Sequence, residues 1–109
     1  MNMPTYDHDH YILDNGEKLN QAYPDTYFIP DKKERENVNT GDIVKLVFRM
    51  EETAGSEDLA VERMWVMISK THDDYYEGVL NNHPAGSNCL TAGQTVFFQP
   101  CHIIQIYNE

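Results

Sequence analysis

The stretch Ile43-Val44-Lys45-Leu46-Val47-Phe48-Arg49-Met50 decides the fold. Val44, Leu46, Phe48 and Met50 alternate with Ile43, Lys45, Val47 and Arg49, and a period of two sends successive side chains to opposite faces of a strand. One face is apolar throughout, so the strand is buried on that side. Arg63 to Lys70 repeats the pattern, with Met64, Val66 and Ile68 on one face and Trp65, Met67 and Ser69 on the other. His72-Asp73-Asp74 then turns the chain into Tyr75–Leu80, which sets Tyr76, Gly78 and Leu80 against Tyr75, Glu77 and Val79. A glycine inside such a strand marks a bulge or a sharp bend, the device that curls a small sheet.

Working outward, Gln94–Gln99 and Cys101–Tyr107 supply two more strands, separated by Pro100. Thr40-Gly41-Asp42-Ile43-Val44 and Ala92-Gly93-Gln94-Thr95-Val96 echo one another. Turn-into-strand chemistry alone generates such an echo, so it is not a repeat. Upstream, Glu17 to Tyr23 can form one or two helical turns that Pro24 stops, and Asp31-x-x-Glu34 has capping-box spacing for a helix from Lys32 to about Val38. Glu51–Val61 is expected to be a long acidic loop or hairpin tip, and mobile, and Asn81–Asn88 a turn-rich connection. The expected fold is α+β: a small, strongly curved antiparallel sheet or partly open barrel of about five strands, with one or two short N-terminal helices. Residues 1–23 are expected to form a partly irregular arm whose order depends on docking, and residues 24–109 a single domain.

Composition bounds the function. The chain has 109 residues, 18 acidic against 8 basic, and a formal net charge of −10. Residues 1–62 hold 14 of the acids and 6 of the bases; residues 63–109 hold 4 and 2. No stripe of Lys and Arg is available to neutralise phosphates, and an anionic membrane surface repels such a chain, so neither nucleic acid nor membrane is expected as a partner. No apolar run approaches the length of a membrane span, the N-terminal segment lacks a secretory pattern, and Cys89 and Cys101 are expected as reduced thiols. A cytoplasmic protein is therefore expected.

From Pro24 onward the chain resembles the YegJ-like bacterial domains. The resemblance rests on Pro24-Asp25-Thr26-Tyr27-Phe28-Ile29-Pro30, Gly41-Asp42-Ile43-Val44-Lys45-Leu46, Glu62-Arg63-Met64-Trp65-Val66, Gly78-Val79-Leu80-Asn81-Asn82 and the segment from Gly93 to His102-Ile103. It covers about four-fifths of the chain and implies a fold. Some relatives occur beside toxin genes, which implies an immunity role.

Several residues have chemistry to weigh. His8 and His10, in Asp7-His8-Asp9-His10, would point to one side of an extended chain and so could chelate a divalent ion. A metal site normally needs a further ligand from a rigid second segment, so no metal and no cofactor are expected. Cys101 and His102 are adjacent on a strand and face opposite ways, which disfavours a thiolate and base pair. Asp73-Asp74 and Glu51-Glu52 are neighbours in solvated turns, and no phosphate-binding glycine loop or catalytic triad order is present. The expectation is a non-enzymatic acidic module that binds a basic protein partner, with Glu57 and Asp58 for charge and Trp65, Tyr75 or Tyr76 as apolar anchor. A second reading is a small-ligand binder or enzyme with a pocket near His102, and a third is a structural or regulatory subunit.

Overall fold

A computed structural model describes residues 3–108, so Met1 and Asn2 of the expected arm, and Glu109, lie outside the described residues. Two long strands, β2 (Ile43–Glu51) and β3 (Leu59–Thr71), form an antiparallel hairpin that sets Ile43 against Met67 and Glu51 against Leu59. Strands β4 (Tyr76–Leu80) and β5 (Thr95–Phe98) add antiparallel beyond β3. The other edge of β2 is shared by β1 (Tyr11–Leu13) and the two-residue β6 (Gln105–Ile106). The sheet, in the order β1-β2-β3-β4-β5, curls into a half-barrel accompanied by the short helices α1 (Tyr6–Asp9), α2 (Gly16–Ala22) and α3 (Lys32–Arg35).

The alternation seen in the sequence sorts the faces. Val44, Leu46, Phe48 and Met50 of β2, Met64, Val66 and Ile68 of β3, Tyr76 and Leu80 of β4, and Val96 and Phe98 of β5 are all buried on the inner side. Val38, Leu90 and Ile103 from the connecting segments complete this core. Each large apolar side chain taken from water here stabilises the fold by roughly 1.5–3 kcal/mol. Gly78 leaves no room for a side chain: a Cβ there would collide with Val66 Cγ1 and lie 2.9 Å from the Met67 carbonyl. The register slips between Ile68 and Lys70, so the irregularity expected at Gly78 falls on the facing strand.

The two echoed stretches are two copies of one turn. In each, the amide of the fourth residue donates to the carbonyl of the first, Asp42 to Asn39 at 3.0 Å and Gln94 to Thr91 at 3.1 Å. The side chain of the fourth residue accepts from the amide of the first, Asp42 Oδ2 from Asn39 and Gln94 Oε1 from Thr91. Gly41 and Gly93 sit at φ +95° and +93°, where a side chain is disfavoured. Each pair then faces a single residue: Gly41 and Asp42 bond Ile68, as Gly93 and Gln94 bond Leu80. Two residues opposite one, with the first a left-handed glycine, make a glycine-type β-bulge.

Four expectations are corrected. The chain after Pro100 forms a 3-10 turn at Pro100–His102 before the short β6, because proline lacks the amide a ladder needs and is favoured at a helical start. The helix expected to reach Val38 stops at Arg35, and Val38 instead enters the core. Both strands of the hairpin run into the expected loop, leaving residues 52–58. Its base is bonded to the rest of the fold: Gly55 N donates to Glu51 Oε1, Asn88 N to the Glu52 carbonyl, and Ser87 Oγ to the Glu51 carbonyl. Finally, residues 6–9 are helical and His10 takes φ 66°, so the extended geometry that would align His8 with His10 does not occur.

The connection 81–90 covers an edge. Strand β4 pairs with β3 only from Val66 onward, which leaves the Leu59–Trp65 edge without a strand neighbour. The connection runs along it. Asn81 N donates to the Trp65 carbonyl at 2.9 Å, Asn82 Oδ1 accepts from the Trp65 amide, and the Ala85 and Gly86 amides donate to the Glu62 carboxylate. An uncovered edge of this length would template pairing with other chains.

Candidate functional site

The six residues singled out from the sequence do not converge on one site. Tyr76 is 5% exposed and its hydroxyl donates to the Arg35 carbonyl at 2.8 Å, so it is part of the core and offers no surface. Tyr75 stacks on His72 with centroids 4.3 Å apart and meets the edge of Phe97 on the outer side of β5. Glu57 and Asp58 are exposed at the end of the β2–β3 hairpin. Trp65 lies on the outer face of β3, about 20 Å further along at the rise of a strand.

Trp65 is half-buried by its neighbours. Lys45, its cross-strand partner, places Nζ 4.4 Å from the ring centroid, and Tyr107 meets it edge-on at 5.9 Å. With Ile43 and Asn81 these rings line a shallow depression of about 250 Å³. The same face of β3 carries Leu59, Val61 and Met67, which are 43%, 47% and 42% exposed. Arg63 interrupts this apolar row with its guanidinium 4.5 Å from the Tyr27 ring. Leu59 and Val61 fell within the expected loop. Carrying the alternation of Trp65 and Met67 back two and three strides, past Arg63, would have found them.

His102 and Cys101 are placed differently from the strand geometry expected of them. His102 Nδ1 accepts from the Gln99 amide at 2.9 Å, which fixes the neutral ring with its proton on Nε2. Burial lowers its pKa to about 4, and protonation would also set a donor against the Gln99 donor. Burial, with the nearby Glu17 carboxylate, raises the Cys101 thiol above its ordinary value, the reverse of what an activated nucleophile requires. Cys101 lines an open cleft of about 470 Å³ with Lys32, Arg35, Asp73, Asp74 and Gln99; His102 is not among the residues on that wall.

Arg35 was not singled out, and it organises this end of the molecule. It is 4% exposed, yet Nε donates to the Pro30 carbonyl at 2.9 Å, and Nη1 donates to the Pro100 carbonyl at 3.1 Å and pairs with Glu17 at 2.9 Å. One guanidinium thereby ties α2, α3 and the 3-10 turn together, as a planar multi-donor group can and an ammonium cannot. At the opposite end His10 Nδ1 meets Glu51 Oε1 at 2.9 Å, and Arg49 forms a two-pronged contact with Asp14. These contacts join the N-terminal segment to β2.

Among the described residues, no group of three or more His, Cys, Asp or Glu side chains is arranged to hold a metal, and no helix is long and apolar enough to cross a membrane. Comparison with curated proteins and with solved structures finds no match. A family described as an uncharacterised protein conserved in bacteria (DUF2314) matches residues 17–105, taking in α2, α3, the hairpin, the covering connection and both glycine turns. Matched over most of its length, the chain belongs to this bacterial DUF2314 family.

Proposed function

We propose that the protein is a non-enzymatic binding module whose outer sheet face receives a basic protein partner. The observation that carries this reading is the row Leu59, Val61 and Met67, exposed on the outer face of the longest strand. Apolar side chains in a row are unusual on the surface of a small acidic chain, and such patches characterise contact sites. Trp65 and Tyr107 supply aromatic area at small entropy cost. Glu57 and Asp58 at one end, within a chain of net charge −10, steer association toward a positively charged surface. The resemblance to YegJ-like domains favours one form of this reading, an immunity-type inhibitor of a basic toxin.

The test is capture from the native host with the wild-type protein and with Val61→Asp/Met67→Asp, followed by kinetics with the recovered chain. A basic protein retained by the wild type and lost by the double variant supports the reading. Glu57→Lys/Asp58→Lys should slow association at least fivefold at low ionic strength and by less at high salt, because steering is screened. Equal retention by wild type and Val61→Asp/Met67→Asp rejects the outer face, and unchanged association rates reject the steering.

A further inference from the structure

Strand β5 is the outermost strand at the end of the half-barrel opposite β1. Its pairing with β4 sets Val96 opposite Gly78 and Phe98 opposite Tyr76, and the Leu80 amide donates to the Gln94 carbonyl at 2.9 Å. Hydrogen-bonded pairs alternate along an antiparallel ladder, so Gln94, Val96 and Phe98 turn their backbone groups toward β4, while Thr95 and Phe97 turn theirs away. Outside the ladder with β4, no backbone hydrogen bond among the described residues involves the amides or carbonyls of Thr95 and Phe97. A groove of about 500 Å³ reaches this strand at Phe97 and is otherwise lined by Met3, Thr5, Asp7, His8 and Asp9 of the N-terminal segment. The Asp9 carboxylate is held in place by the Thr5 amide at 2.8 Å, and Asp7 is exposed. The groove residues include two carboxylates and no Lys or Arg.

We infer that this groove accepts an extended, lysine- or arginine-bearing segment of another protein, added as a further strand on the free edge of β5. Main-chain bonds to Thr95 and Phe97 supply affinity without regard to sequence, and the side chains that alternate along the added strand supply selectivity. Those facing the α1 wall meet Asp7 and Asp9, which favours a basic segment over an acidic one. The inference goes beyond the outer-face reading, since it uses a different edge and different residues.

The probe is a fluorophore-bearing, end-blocked eight-residue peptide of alternating lysine and valine. Its controls are the same peptide N-methylated at its two central residues, one on each edge, and a glutamate–valine analogue. Binding is followed by anisotropy at low salt, and amide exchange of Thr95 and Phe97 by NMR. The lysine–valine peptide should bind with both controls at least tenfold weaker, and saturation should slow exchange at Thr95 and Phe97 at least tenfold. Thr95→Pro removes an outward amide at a position where an edge strand tolerates proline, and should weaken binding at least tenfold with unchanged melting. Val61→Asp/Met67→Asp should leave peptide binding unchanged, which separates this site from the outer face. Equal binding of the N-methylated peptide, or unchanged exchange at Thr95 and Phe97, overturns the inference whether or not Thr95→Pro folds. So does protection of those amides in the free protein that disappears on deleting residues 1–4, because the chain's own N-terminus then fills the edge.

Discussion

Gly78 shows how close packing can require a glycine inside a strand. The position a Cβ would take is already occupied, by the Val66 side chain and by the Met67 carbonyl, which cannot yield. Gly78→Ala should therefore destabilise by about 1–3 kcal/mol, the range for overpacked cores, although alanine suits a strand no worse than glycine. A thermal melt decides it: an unchanged midpoint would falsify the packing account. His102 gives a second prediction. Its pKa falls from 6.5 in the unfolded chain to about 4 in the folded one, so the unfolded state binds more protons between those values. Stability contributed by the neutral ring is complete above pH 6.5 and lost as the pH falls toward 4, to a total of about 3 kcal/mol. Denaturant titrations at pH 7 and pH 4.5 should show the drop, and His102→Gln should flatten it. Glu51 acts in the same direction at lower pH. The Gly55 amide and His10 hold its carboxyl below the usual range, so its contribution is lost as the pH falls through that lowered value.

At the scale of elements, regular alternation was legible and brief or borrowed structure was not. Val44 through Met50 and Met64 through Ile68 place themselves on the inner face by period alone. Strand β1 is three residues and β6 two, too short to show a period, and both exist because β2 offers them an edge. The burial of Arg35 was equally hidden. Its charge resembles that of a solvated helix face, and the Pro100 carbonyl that receives it lies 65 residues away. The outer-face row was partly legible, since Trp65 and Met67 belong to the same alternation as Leu59 and Val61. The turn-rich composition of Asn81–Asn88 marks a connection without showing what it covers, and Asn82 accepts the backbone amide of Trp65 across the strand edge. Asn82→Ala should cost about 1 kcal/mol and speed exchange of the Trp65 amide, with little change elsewhere in β3. Unaltered exchange at Trp65 would remove the covering role assigned to this side chain.

Over the whole molecule, charge and apolar exposure are segregated. The acids that dominate residues 1–62 lie in the N-terminal segment, around α3 and at the hairpin end, whereas the strands from Arg63 onward are nearly neutral. Both surfaces proposed for binding lie where an acidic element borders an apolar one: Glu57 and Asp58 beside Leu59, and Asp7 and Asp9 across from Phe97. The half-barrel carries two further equivalents that have nothing to do with charge. Its glycine turns at residues 39–42 and 91–94 close the same four hydrogen bonds, one against Ile68 and the other against Leu80. They are interchangeable parts. Grafting the first onto the second, by Thr91→Asn, Ala92→Thr and Gln94→Asp, should leave the fold and its melting temperature within about 3 °C of the parent. The architecture thus offers two sockets of one gauge, at which a designed insertion proven in one can be moved to the other.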